Sequence, residues 1–264
     1  ELGMPRFAID SHTGNVRKLN EDSFEAAPDI GLWLVADGVG GHESGEVASE
    51  LTRSTISSSY RQRGDLVRAV EEAHTVVCKA ITDKAGGANM ASTVVALTLQ
   101  GLDFQIAWVG DSRAYLWNGA LRLLTRDHSV VEEMVSSGEI TREEGDTHPS
   151  RHIITRCIGM ASNSPIQVAS LSGTLVPGES LLLCSDGLND SVSGELIANI
   201  MSSVPAADGR VAELIAAALK GGGRDNITVA VIDSDAGAGV RQSVSVAPSS
   251  KPSTLWQRFC GFFK

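Results

Sequence analysis

The sequence predicts an α+β fold in which antiparallel sheets are covered by helices, and two observations carry that expectation. Short segments rich in β-branched and aromatic residues follow one another with turn residues between them, as hairpin-linked strands do. Apolar residues at helical spacing fall in separate blocks, so strands run consecutively between grouped helices, which argues for antiparallel sheets with helices packed on them. At 264 residues, 42% of them hydrophobic, the chain can bury one large core.

In chain order, strands are expected near residues 5–10 and 32–36. Two helices follow between 44 and 84. The second is the clearer: Leu66, Val70, Ala73, Val77 and Ala80 form a stripe, with Arg68, Glu71, Glu72 and Lys79 off it. Strands come next near 93–99, 104–109 and 113–117, then a helix near 127–137. Residues 137–164 are charged and small, and Pro149 and Gly159 interrupt any long helix, so a long loop is expected. Strands near 167–171 and 181–185 precede a helix near 205–220, expected to pair with the one near 127–137; in it Val211, Leu214, Ile215, Ala218 and Leu219 make a second stripe. A strand near 227–232 closes the series.

Bulk properties exclude several classes. A net charge of −10 argues against a nucleic-acid partner, whose phosphates would be repelled. No apolar stretch reaches membrane-spanning length and no signal peptide is visible. The four cysteines (Cys78, Cys157, Cys184, Cys260) have no framework spacing, which points to reduced thiols and a cytoplasmic protein. Glu1-Leu2-Gly3 ahead of Met4 reads as an added leader, with native numbering starting at Met4.

Acidic residues at the ends of apolar runs are the strongest chemical signal. They stand in Asn20-Glu21-Asp22, Val35-Ala36-Asp37-Gly38, Val109-Gly110-Asp111-Ser112, Cys184-Ser185-Asp186-Gly187 and Arg224-Asp225-Asn226-Ile227. Any one alone is a turn residue or a loop cap. Repeated in matching contexts, they suggest carboxylates gathered at one end of a β core. Acids so placed lose solvation and need compensating charge. Oxygen-only donors with no Cys or His cluster suit Mg²⁺ or Mn²⁺ rather than Zn²⁺.

The ordered set Arg17-Lys18-Leu19-Asn20-Glu21-Asp22, Asp37-Gly38-Val39-Gly40-Gly41-His42, Val109-Gly110-Asp111-Ser112-Arg113, Ser185-Asp186-Gly187-Leu188-Asn189-Asp190 and Gly223-Arg224-Asp225-Asn226 resembles the protein phosphatase 2C family of metal-dependent phosphatases, in its bacterial branch. The stretch from Asp127-His128-Ser129 through His148-Pro149-Ser150-Arg151 to Thr155-Arg156-Cys157-Ile158-Gly159 is also similar. The resemblance covers roughly residues 5–233. It implies a four-layer α-β-β-α sandwich of two antiparallel sheets flanked by helix pairs. The catalytic domain would span 4–235 with a substrate-gating flap at about 137–164.

The implied activity is serine/threonine protein dephosphorylation by a hydroxide bridging two divalent ions, Mn²⁺ or Mg²⁺. Asp37 would bridge the ions, and the Gly38 carbonyl with Asp22, Asp186 and Asp225 would complete their shells. Glu21 would act through water. Asp111 would share a third, weaker ion with Asp186, and Asp190 would be an outer carboxylate. Arg17 is expected to grip substrate phosphate through its planar fork. Animal members often carry a proton-donating histidine after the Asp-Gly; Val39 stands there and cannot donate, and His42 does not align with that donor. The expected partners are phosphorylated proteins, including a bacterial-type serine/threonine kinase, and the protein is expected to be a monomer. A phosphatase-fold sensor that had lost catalysis should also have lost ligands, whereas all are present. A hydrolase of small phosphoesters would use identical metal chemistry.

Residues 236–253 are small and polar, with Pro248 and Pro252, and read as a flexible linker. Residues 254–264 place Leu255, Trp256, Phe259, Phe262 and Phe263 on one helical face beside Arg258 and Lys264, the combination of an amphipathic segment docking on a membrane surface or partner protein. Deleting residues 250–264 is therefore expected to leave peptide turnover unchanged while abolishing co-sedimentation with anionic vesicles or recovery of a partner. Loss of stability or activity would instead mean that the tail packs on its own domain.

Overall fold

The computed structural model describes residues 5–40, 43–83, 90–160, 165–234 and 243–245. Two sheets stack face to face. The first runs in the order β12 (Ser243–Ser245), β1 (Phe7–His12), β11 (Ile227–Asp233), β10 (Ser180–Cys184), β7 (Arg113–Trp117), β8 (Leu121–Leu123). The second runs β2 (Asp22–Ala27), β3 (Leu32–Val39), β5 (Val94–Gln100), β6 (Asp103–Val109), β9 (Ala169–Thr174), with β4 (Ala91–Ser92) paired to β3. Neighbours are antiparallel except β12, which lies parallel to β1.

The long apolar runs of the central strands follow from covering both faces of each sheet. In β3, Trp33 and Val35 point into the layer between the sheets, where they meet Phe7, Ile9, Leu97, Leu181 and Ile232. Leu32, Leu34 and Ala36 point the other way, onto α1 (Glu43–Arg63) and α2 (Leu66–Thr82). The same alternation splits β10: Leu181 and Leu183 face the inter-sheet layer, while Leu182 and Cys184 face α6 (Gly194–Ser203) and α7 (Ala207–Lys220). With period-2 side chains and two buried faces, successive positions in the strand centres are apolar. The layers are therefore helix pair, sheet, sheet, helix pair, as expected.

The predicted stripes on α2 and α7 are the buried faces of those helices, with Leu219 partly buried against the same core. The pairing of α7 differs from expectation. Its partner is α6, capped by the Ser193 side chain, and not the helix near 127–137. That helix, α3 (Val130–Ser137), lies with α4 (Arg142–Asp146), which opens on a capping box from Thr141 and Glu144. The first ends where the expected flap begins, and the second is a short helix within it. Both ends of this excursion are fastened, by bridges Ser129↔Ile154 and Ser92↔Ile158. Within the stretch read as linker, Ser243–Ser245 forms β12; the rest of that stretch and residues 254–264 lie outside the described residues.

Register fixes where the functional loops meet. His12 pairs with Ile227 and Cys184 with Arg113 at one end of the first sheet. At the same end of the second sheet Asp22 pairs with Asp37, and Val94 with Val109. Trp33→Ala, which empties the centre of the inter-sheet layer, is expected to cost about 3–5 kcal/mol in urea unfolding. Val16→Ala, at a side chain 66% exposed, should stay within about 0.5 kcal/mol of wild type.

Candidate metal centre

The β2–β3 register sets Asp22 directly opposite Asp37. Asp22 is buried, and its Oδ2 accepts from Ser185 Oγ at 2.8 Å and Thr228 Oγ1 at 2.6 Å. A relay stands behind Thr228: Asn20 Nδ2 donates to Ser11 Oγ at 2.8 Å, which is 2.7 Å from Thr228 Oγ1. Every donor thus converges on Oδ2. The other oxygen, Oδ1, is buried with no hydrogen-bond partner among the described residues, and so are Asp186 Oδ1 and Glu21 Oε1.

Asp186 opens the one-turn helix α5 (Asp186–Asn189), immediately after β10. Asp111 occupies the β6–β7 turn, whose Gly110 has φ +110° and whose added Cβ would stand 2.6 Å from Thr93 Cβ. Thr93 N donates to Asp37 O at 2.8 Å, and Thr93 Oγ1 is 2.7 Å from Ser112 Oγ. The Asp111 turn is thereby fastened to the end of β3. Gly38 meets the first turn of α1 closely: a Cβ there would lie 2.0 Å from Gly45 O. Only glycine permits that approach.

The acids repel one another strongly enough to identify them as one cluster. Burial, then Asp22, Asp186, Asp111 and Asp225 in that order, push Asp37 well above the ordinary carboxylate range. Burial, then Asp111, Asp190, Asp225 and Asp22, do the same to Asp186. Asp22 and Asp111 are each raised to about 6, chiefly by burial. Glu21 and Asp190 are also raised by burial. A shared pocket of anions with unpartnered oxygens and oxygen-only donors fits hard divalent cations.

Arg17 pairs with neither Glu21 nor Asp22. Its Nη2 donates to Asp225 Oδ2 at 2.7 Å, with the side chain 49% exposed. Asp225 Oδ1 accepts from Asn226 N–H at 2.8 Å. Asn226, beside Asp225, is a hub. Its Oδ1 accepts from Glu21 N–H at 2.8 Å, and its Nδ2 donates to the carbonyls of Thr13 and Leu19, each at 2.9 Å. One side chain thereby ties the loop bearing Arg17 to the loop bearing Asp225. Ser185 and Thr228 were likewise missed as contacts of Asp22. Polar residues set at the ends of otherwise apolar runs are the signal that marks them.

Asp190 sits further out, its Oδ2 3.4 Å from His152 Nδ1 on the flap. A cavity of about 600 Å³ separates the flap from α5 and α6, with Asp111, Asp186 and Asp190 on its inner wall. Val39 is exposed, and His42 lies outside the described residues. His128 is a neutral structural group: burial lowers it to about 4, its Nδ1 accepts from Gly110 N–H at 3.0 Å, and it stacks on Trp108.

Comparison with known proteins places this geometry. Residues 11–216 match the family model described as protein phosphatase 2C. The chain is 34% identical over 237 residues to the serine/threonine phosphatase stp of Listeria monocytogenes, a match covering 84% of this chain and 93% of that protein. It is 35% identical over 235 residues to the serine/threonine protein phosphatase PstP of Mycobacterium tuberculosis, covering 86% of this chain and 45% of that one. Among solved structures, the M. tuberculosis PstP/Ppp crystal structure superposes with a TM-score of 0.79 at 34% identity, covering 88% and 99% of the two chains. A PstP catalytic domain in complex with two manganese ions gives 0.77 at 34% identity, covering 87% and 97%.

The raised carboxyls set a pH dependence for the chelated protein. Their folded-state values lie above the unfolded ones, so the folded chain holds extra protons and loses stability as pH rises from about 4 through about 6, where Asp22 and Asp111 titrate. Thermal unfolding in chelator should therefore show falling Tm over that window, and added Mn²⁺ should raise Tm more at pH 7.5 than at pH 5.

Proposed function

The chain belongs to the protein phosphatase 2C family, and on that premise we propose that it is a metal-dependent serine/threonine protein phosphatase, a phosphoric monoester hydrolase. The observation that carries the metal dependence is the set of buried oxygens on Asp22, Asp186 and Glu21, beside Asp37, that have no partner among the described residues. Two divalent cations, Mn²⁺ or Mg²⁺, would offset that charge. When bound, they supply Lewis acidity that makes water nucleophilic near neutral pH and screens the phosphate anion.

Asp37 would hold both ions from the end of β3. Asp22, clasped on Oδ2, presents Oδ1; Asp186 presents its own Oδ1; Asp225 and the Gly38 carbonyl complete the set, with Glu21 acting through water. Asp111 would serve a weaker third ion shared with Asp186, and Asp190 lies outside it. Arg17 spends one guanidinium N–H on Asp225 and keeps the rest of its fork, half exposed, for two phosphate oxygens. Val39 offers the leaving serine or threonine oxygen no proton, so water supplies it. The substrates would be phosphorylated proteins, among them a serine/threonine kinase that this enzyme opposes, in line with the phosphatase names of its relatives. The flap would gate access. No helix among the described residues is long and apolar enough to cross a membrane, and attachment through 254–264 is the proposed route to a surface.

Turnover of a phosphothreonine peptide with Mn²⁺, abolished by chelator, tests this reading. Asp37→Asn or Asp186→Asn should abolish that turnover and weaken metal binding in calorimetry, since each removes a charge from the centre. Wild-type rates in either variant at saturating Mn²⁺ would remove that residue from the site. Arg17→Ala should raise KM about 10- to 100-fold, the worth of charge-assisted hydrogen bonds, with a smaller change in kcat. Unchanged KM and kcat would make Arg17 structural.

A further inference from the structure

We propose that Leu19, Val39 and Met160 form an apolar strip along one rim of the centre, which takes apolar side chains flanking the phosphorylated residue of an extended substrate segment. The proposal rests on the phosphatase reading and names a substrate preference that the reading leaves open.

Sheet register sets the three in one row. Side chains of β3 alternate between its faces, so Val39 projects on the face that carries Trp33, Val35 and Asp37. Gly38 points the other way, toward Gly45 O. Val39 thus stands one repeat beyond Asp37, outside the acids rather than among them. The Asp22–Asp37 register runs on outward, with Gly38 N donating to Glu21 O at 3.1 Å. That brings the chain at Asn20, and Leu19 before it, alongside Val39. On its other side Val39 pairs with Ala91 of β4. Ser92 and Ile158 exchange hydrogen bonds of 3.0 and 2.7 Å. The row therefore continues to Gly159, whose added Cβ would stand 3.5 Å from Ala91 Cα, and to Met160 after it.

Leu19, Val39 and Met160 are 40%, 43% and 41% exposed, three of the eight large apolar side chains that stand exposed among the described residues. One such side chain alone is ordinary; a row of them beside a polar centre marks a contact surface. Four neighbouring backbone segments at about 4.8 Å spacing make a rim about 14 Å long, which matches about four residues of extended chain. Arg17, two positions before Leu19 and half exposed, would hold the phosphate at one end of that rim. An apolar flanking side chain would cover the strip, whereas a carboxylate in its place would lose hydration against it and face the acids of the centre.

The test uses the full chain with Mn²⁺ and phosphothreonine peptides built on one Ser/Gly frame, with two leucines or two aspartates at alternate positions on either side of the phosphothreonine. One leucine peptide should show a KM about tenfold below that of the plain frame, and its aspartate counterpart a KM above it. The double variant Leu19→Gln/Met160→Gln should raise the leucine peptide's KM to that of the plain frame. Its turnover of p-nitrophenyl phosphate, its Mn²⁺ stoichiometry and its circular dichroism should stay at wild-type values. Val39→Thr, which keeps the shape, should reduce the preference, and Leu19→Met/Met160→Leu should retain it. Equal KM for all peptides in wild type, or a preference that survives the glutamine variant, would overturn the strip and leave the phosphatase reading standing. A KM for the leucine peptide that falls on deleting residues 250–264 would give the strip to the chain's own terminal segment and overturn the assignment equally. Hydrolysis of p-nitrophenyl phosphate with no phosphopeptide turned over would remove both.

Discussion

Mutual repulsion among carboxylates held out of water, at the seam where two sheets end, is the constraint on which the surrounding structure depends. Asp22 and Asp186 raise the cost of ionising Asp37, and Asp22 with Asp111, Asp190 and Asp225 that of Asp186; in a soft loop these acids would simply separate into solvent. Separation is prevented by burial on both faces of each sheet. Asp37 ends a strand that is anchored on one side by Trp33 and Val35 and on the other by Leu34 and Ala36. The frame therefore stores unfavourable electrostatics that a cation relieves, and metal binding and folding are coupled in the same residues.

Direction matters as much as proximity. Ser185 and Thr228 both donate to Oδ2 of Asp22, which orients the carboxylate and leaves the second oxygen without a donor among the described residues. These two hydroxyls come from the first sheet and Asp22 from the second, so the hydrogen bonds that orient the carboxylate also join the sheets at that end. Asn226 performs the corresponding task at the rim. It satisfies the buried N–H of Glu21 and the partly buried carbonyls of Thr13 and Leu19, and the buried N–H left unpaired would cost about 1–3 kcal/mol. Positioning Arg17 is a by-product of satisfying that loop.

The flap is built on different physics. Its contacts are ionic and capped rather than apolar: Glu132 takes Arg126 and Arg142 together, and Arg113 holds Asp127 in a two-pronged pair. Such contacts are individually weak when exposed. The cavity that several of them line is polar, with acids and arginines on its walls. The His152–Asp190 approach lies where this polar excursion meets the rigid acidic centre.

Much of this was legible in the chain. The central strands showed as apolar runs, and α2 and α7 as stripes. Others were hidden for local reasons: β2, Asp-Ser-Phe-Glu-Ala-Ala, lies at a sheet edge with little apolar pattern, α5 is a single turn, and β12 is three residues long. The acids proposed as ligands were recognisable because their types and order stand in sequence motifs. What the sequence determined was thus residue chemistry and local periodicity: which acids, which glycine, which arginine. Which oxygen of Asp22 is held and which is free, that Arg17 meets Asp225 and not Glu21, that α6 rather than α3 partners α7, and that His152 comes up to Asp190 were decided only by tertiary structure. Those contacts join residues up to 208 positions apart, and sheet register brings them together with no trace in the local sequence.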